Sequence, residues 1–193
     1  MRLRPLLGAA LAALILTACQ PSASPSPSAA PSDGSGAAFP SFEGDPELEG
    51  SLPASADGIT FIRVSMTGSE FVESDVEPRF LDFLEAIDAD IEDVSVAVAL
   101  GANNAGDKTA SILAFRIRGA EAADLVEEFK ATADAGGDPL VWEPQTIGGK
   151  QVEVAQPNDD FPTPIALYEH GEVLYFVSSS DEAAFEAILS KLP

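Results

Sequence analysis

Between residues 59 and 192 the apolar positions switch between a period of two and a period near 3.6. Each switch marks an element. Ile59 to Thr67 alternates and is rich in β-branched residues, which predicts a strand. From Pro78 to Asp88 the apolar residues Phe80, Phe83, Leu84 and Ile87 recur at helical spacing, with Pro78 in the first turn, where no amide hydrogen is needed. Val94 to Leu100 reads as a strand with Val94, Val96, Val98 and Leu100 on one side and Ser95, Ala97 and Ala99 on the other. After a turn over Gly101 to Asp107, Thr109 to Arg118 places Leu113, Phe115 and Ile117 on one face. A helix is expected over Ala120 to Ala133, on the stripe Ala122, Leu125, Val126 and Phe129, before the breaker Gly136-Gly137-Asp138-Pro139.

Leu140 to Glu143 reads either as a short strand or as an irregular segment, and Thr146 to Ala155 as one strand entered through Gly148-Gly149. Gln156 to Thr163 is a loop. Ile165 to Glu169 and Glu172 to Ser178 form a tight hairpin across His170-Gly171. The chain closes with a helix capped by Ser180 or Asp181, whose stripe is Phe185, Ile188, Leu189 and Leu192. The order is β-α-β-β-α-β-β-β-α. Short connections favour antiparallel pairing. The expected fold is therefore α+β, a mainly antiparallel sheet with helices packed on one face, in a single domain over residues 58–193.

Two details refine this picture. Leu113-Ala114-Phe115 before one helix echoes Leu174-Tyr175-Phe176 before another. Duplication of a ββα unit and chance likeness of amphipathic elements both explain the echo. Ser95, Ala97, Ala99 and Ala114 give the second sheet face small side chains, with Arg116 and Arg118 beside them. Small side chains let another layer approach closely, and a segment of the same chain is the expected layer, ahead of a second subunit or a ligand.

Residues before 58 have a different character. Arg2 and Arg4 precede an apolar run from Leu6 to Leu16, which is shorter than the roughly 20 residues a spanning helix needs. Leu16-Thr17-Ala18-Cys19 follows. This sequence resembles the lipobox of bacterial lipoproteins: an aliphatic residue, two small residues and a cysteine. The resemblance implies that residues 1–18 are a lipoprotein signal peptide removed by cleavage before Cys19. It further implies that Cys19 carries a diacylglycerol on its sulfur and becomes the N-terminus. Two or more acyl chains hold stably, at about 0.8 kcal/mol per buried CH₂. The implied location is extracytoplasmic, lipid-anchored to the cell membrane. Cys19 is the only cysteine, so an intrachain disulfide is excluded.

Residues 19–57 are expected to be the lipidated cysteine and a disordered linker. From Gln20 to Asp57, 27 of the 38 residues are Pro, Ser, Ala or Gly, too few large apolar groups to offset the ordering entropy. Phe39, Phe42 and Leu52 are large apolar residues within it, expected to dock on the domain.

Charge narrows the function classes. The chain has 32 acidic and 10 basic residues, a net charge of -22. A phosphate backbone needs a basic face, so nucleic acid is excluded as a direct partner. No G-x-S-x-G, H-E-x-x-H, P-loop or dinucleotide fingerprint occurs. His170, the one histidine, falls in a turn. No catalytic, cofactor-binding or metal-ligating residue is therefore assigned, and the chain is read as a non-enzyme without cofactor. Asp88, Asp90, Glu92 and Asp93 offer hard oxygens at the spacing Ca²⁺ accepts, as does Asn158-Asp159-Asp160. The first run lacks the turn glycine and bidentate Glu of a calcium loop, and both runs read as solvated charge. The sequence thus describes an anchored domain acting as a binding or interaction module, with a protein or small-ligand partner it does not identify. The alternatives are a secreted hydrolase using carboxylate chemistry and an accessory envelope protein with no small ligand.

Overall fold

The computed structural model describes residues 44–73, 78–120, 122–135, 140–157 and 162–193. Its first elements lie inside the stretch expected to be linker. Asp45 caps helix α1 (Pro46–Ser51): its Oδ1 accepts from the Glu47 and Leu48 amides at 3.1 and 2.9 Å, and Pro46 sits at the first helical position. Strand β1 (Ser55–Ala56) pairs antiparallel with β2 (Ile59–Thr67). The two residues between them, Asp57 and Gly58, both have positive φ, as a tight hairpin turn requires. The domain therefore begins about 14 residues before the expected boundary at 58, counting from Gly44. Leu52 docks as expected. Cys19, Phe39 and Phe42 lie outside the described residues.

The rest of the chain forms α2 (Gly68–Glu73), α3 (Pro78–Ala86), a single 3₁₀ turn (Ile91–Asp93), β3 (Val94–Ala102), β4 (Thr109–Ile117) and α4 (Ala122–Ala135). Then follow β5 (Trp142–Ile147), β6 (Lys150–Ala155), β7 (Ile165–His170), β8 (Val173–Ser179) and α5 (Glu182–Lys191). The expected strand over 146–155 is instead a hairpin: Gly148 and Gly149, both at positive φ, turn β5 into β6. Together with α1, β1 and α2, this changes the expected element order.

All eight strands pair antiparallel, in the order β1-β2-β3-β4-β8-β7-β6-β5, and the sheet curls into a half-barrel. Two four-stranded meanders meet at β4 and β8. At that seam Leu113 pairs with Phe176, Ala114 with Tyr175 and Phe115 with Leu174. The echoing tripeptides thus face each other about the Ala114–Tyr175 pair. Their likeness stops at the strands, because the helices that follow them lie on opposite faces of the sheet.

Helices cover both faces, which corrects the one-face expectation. On one face α1 and α5 bury Leu48, Leu52, Phe185, Ile188 and Leu189 against Ala97, Ala99, Ala114 and Tyr175. On the other, α3 and α4 bury Phe83, Leu84, Leu125 and Val126 against Val94, Val96, Phe115 and Ile117, with Phe71 of α2 packed alongside. The physical reason lies in β8. Val173 to Val177 is a continuous apolar run, the mark of a strand covered on both sides rather than one half in water. Helix α5 lies within the curl, touching β8 at its centre and both edge strands, β1 and β5. Lys191 Nζ donates to the Ser55 carbonyl of β1 at 2.7 Å.

Polar contacts fasten α1 over the small-residue face. Arg116 Nη1 meets Asp45 Oδ2 at 2.7 Å, and Arg63 Nη1 donates to the Leu52 carbonyl at 2.8 Å. The Ser65 hydroxyl donates to Glu49 Oε2 at 3.1 Å, and the Tyr175 hydroxyl donates to Ser51 Oγ at 3.1 Å. The close layer that Ala97, Ala99 and Ala114 accommodate is a segment of the same chain.

Candidate functional site

A depression lies at the C-terminal end of α3. It begins with how that helix stops. Asp88 takes a left-handed conformation (φ 54°), which Asp tolerates better than most residues. The Ala89 amide then reaches back to the Leu84 carbonyl at 3.0 Å, and the Asp88 amide to Glu85 at 3.2 Å. This is the Schellman arrangement, with Asp where glycine is usual, and Ala89 and Leu84 both pack into the core on that side, as such caps favour. The chain next enters the 3₁₀ turn Ile91–Asp93 and runs directly into β3.

The segment borders an open depression of about 430 Å³. Its apolar lining among the described residues is Leu81, Leu84, Ala89 and Ile91. Leu84 is buried, but Leu81 leaves 48% of its surface in water, one of four large apolar residues this exposed among those described. The polar lining is Glu85, Asp88, Asp90 and Glu92, all exposed, and among the described residues no lining side chain is basic. The last turn of α3 also holds no basic residue, so these carboxylates stand at the negative pole of the helix. Asp93, the last acid of the run, turns away to Arg118 at 3.5 Å. No group of three or more His, Cys, Asp or Glu side chains converges to hold a metal ion among the described residues. The carboxylates ring an opening rather than close on a point.

Asp88, Asp90 and Glu92 are thus brought together around a concave surface. Asn158, Asp159 and Asp160 lie outside the described residues. His170 is exposed at the end of β7, its ring stacked near Tyr168 with centroids 6.3 Å apart and its Nδ1 3.4 Å from the Tyr168 hydroxyl. That hydroxyl donates to the Pro193 carbonyl oxygen at 2.6 Å, and Lys150 Nζ donates to the same oxygen at 2.7 Å. His170 and Lys150 belong to the packing of the C-terminal residues.

Leu81 and Ile91 escaped sequence reasoning as site residues. Leu81 carried a signal: it sits one residue past Phe80, off the stripe Phe80, Phe83, Leu84 and Ile87, so a regular helix turns it away from the core.

No protein-family model, curated protein or solved structure matches the chain. Among the described residues no helix is long and apolar enough to cross a membrane.

Proposed function

We propose that the chain is a membrane-anchored extracytoplasmic lipoprotein whose domain serves as a binding module. The observation that carries this reading is Leu16-Thr17-Ala18-Cys19, set after a charged start and a short apolar run. The Pro- and Ser-rich segment behind Cys19 suits a spacer. A flexible chain of the 24 residues from 20 to 43 reaches roughly 25–30 Å and a fully extended one about 75 Å, enough to hold a domain clear of the bilayer surface. The net charge of -22 keeps such a domain from lying down on anionic lipid. The open, carboxylate-lined depression beyond α3 suits reversible docking of a partner.

Fractionation tests the anchor. Wild-type protein expressed in a bacterial host is expected in the membrane pellet and to incorporate labelled palmitate. Cys19→Ser is expected in the soluble fraction without label. Unlabelled wild-type protein, or Cys19→Ser that still pellets, contradicts the reading.

A further inference from the structure

We propose that the outer edge of β2 is a self-association surface, which pairs antiparallel with β2 of a second copy of the chain about a two-fold axis at Val64. Three observations converge. First, the edge is open. β1 pairs with β2 only at Ile59 and Thr60, and the Phe61 amide donates to the Ala54 carbonyl at 3.0 Å. That bond fixes the backbone direction: odd-numbered residues of β2 turn their amides and carbonyls outward, and even-numbered ones turn theirs toward β3. The Thr67 amide is taken by Glu70 Oε2 at 2.8 Å. Between these points, among the described residues, no backbone group pairs with Arg63 or Ser65 on the outer side. Second, the edge is unguarded. At the opposite end of the sheet β5 carries Pro144 and an exposed Glu143, devices that keep a further strand away. β2 has neither proline nor acid, and its one charged side chain, Arg63, is turned back to the Leu52 carbonyl. Third, the edge is apolar where it meets water. Ile62 is 68% exposed, and Leu100, its partner on β3, is 47% exposed. With Thr60, Val64, Met66 and Val98 they form a stretch of one sheet face without charge, in a chain of net charge -22. Two acidic copies approach most readily where their acids are missing.

The same alternation sets the register. Placing Arg63 opposite Ser65 of the second copy lets each residue exchange both its amide and its carbonyl bond. Centring the pair on residue 63 would need the Phe61 amide and would set Arg63 against itself, and centring it on residue 65 would need the Thr67 amide. Val64 then faces Val64 of the second copy in a non-hydrogen-bonded pair, with Cα atoms about 4.5 Å apart, and Ile62 faces Met66. Gly44 and Glu49 lie against Ser65 on the α1 face, so the apolar contacts fall on the other face. A short edge with few side chains makes a small interface, of the weak and transient class.

The test uses the whole chain carrying Cys19→Ser, so that an introduced cysteine is the only one. Val64→Cys, oxidised with a mild copper catalyst, is expected to give a covalent dimer, because residues facing each other in a non-hydrogen-bonded pair lie within disulfide reach. Ile62→Cys faces Met66 rather than itself, and Leu81→Cys is exposed elsewhere; each is expected to cross-link about tenfold more slowly. Without oxidant, sedimentation equilibrium is expected to give a Kd of about 100 μM at about 0.5 M salt, and a Kd at least about threefold weaker at about 50 mM salt, where the acidic copies repel more. Ile62→Lys puts a charge on the edge at a position mostly in water and is expected to weaken the dimer at least about tenfold.

Equal cross-linking of the three cysteine variants shows random collision and overturns the proposal. So does a chain that stays monomeric at about 1 mM, well above the Kd of a weak interface. A dimer that Ile62→Lys leaves unchanged, or one that added salt weakens, also overturns it. The pairing does not depend on lipid at Cys19, and each of these outcomes leaves palmitate labelling of the wild-type chain unchanged, so its failure is distinguishable from failure of the anchored-module reading.

Discussion

Asp45 and Arg116 are 71 residues apart in sequence and 2.7 Å apart in space, joined by an ion pair that ties the first helix to the middle of the sheet. One carboxylate performs two tasks. Its Oδ1 caps α1 and its Oδ2 neutralises the arginine that faces the small-residue layer. Both side chains are less than a third exposed, so the pair is partly shielded from screening. Asp45→Ala is expected to lower stability by about 1–2 kcal/mol, mostly through the lost cap. In a double-mutant cycle with Arg116→Ala the coupling is expected at roughly 0.5–1 kcal/mol. Urea unfolding of the four proteins gives both quantities. A coupling of zero means that the ion pair contributes nothing.

The placement of α1 moves the functional domain boundary. Leu48 and Leu52 are 0% and 1% exposed and fill the space above Ala97, Ala99 and Ala114. A fragment beginning at residue 58 is expected to be markedly less stable than one beginning at residue 44, or unfolded. Leu48→Ala in the longer fragment is expected to cost about 2–5 kcal/mol. Equal denaturation midpoints for the two fragments show that α1 is dispensable.

Helix α5 touches β8, β1 and β5, and the turn beneath it has no room for a side chain at Gly148. A β-carbon on Gly148 would stand 2.7 Å from the Ser190 amide nitrogen and 2.8 Å from the Glu186 carbonyl oxygen, and Gly148 itself has φ 58°. Gly148→Ala therefore combines a backbone clash with left-handed strain and is expected to cost at least 1–3 kcal/mol. Leu189→Ala, fully buried in the same helix, is expected to cost about 2–5 kcal/mol. Gly149 also has positive φ but meets nothing, so Gly149→Ala should cost less than Gly148→Ala. The reverse order in thermal unfolding contradicts this packing.

The shape of the stability curve with pH follows from three groups. Amide donation from Ala184 and then the Lys108 ammonium hold the Asp181 carboxyl below its usual value. Its contribution is present above the unfolded carboxylate pKa, about 4, and is lost as pH falls through the lower folded value. At the other limb, hydrogen bonds to Asp57 and Asp181 raise Lys108, and burial raises the Tyr175 hydroxyl. A raised folded pKa gives stability that is complete below the unfolded value, near pH 10, and is lost above it. Denaturant midpoints are expected to be flat between about pH 5 and 9 as far as these groups decide, and to fall beyond. Tyr175→Phe should flatten part of the alkaline fall. An alkaline limb unchanged in that variant assigns the loss to other groups.

Much of this fold was legible in the pattern of residues because the pattern is local. The alternation of Val94, Val96 and Val98, the stripe of α5 and the turn at Gly171 each dictate an element without reference to anything distant. What composition concealed was the start of the domain. Pro46, Ser51, Pro53 and Ser55 carry the linker's residue types into the fold, and a fraction averaged over 38 residues hides Asp45 as a cap, Leu48 as an anchor and Asp57-Gly58 as a hairpin turn. The choice of faces was concealed for another reason. Small residues at Ala97, Ala99 and Ala114 show that something comes close, and only the tertiary structure shows that it is α1 and α5. At the candidate site the acids were visible as a run, and their placement around one depression depended on the Asp88 helix stop.

The mass of the mature N-terminal peptide is the sharpest test of the proposed lipid anchor at Cys19. Protein is extracted from bacterial membranes in detergent, digested, and its N-terminal fragment weighed. The expected fragment begins at Cys19 and carries the added mass of a diacylglycerol, with or without a further acyl chain on the amine. A fragment beginning at Met1, or one beginning elsewhere with an unmodified Cys19, contradicts the account.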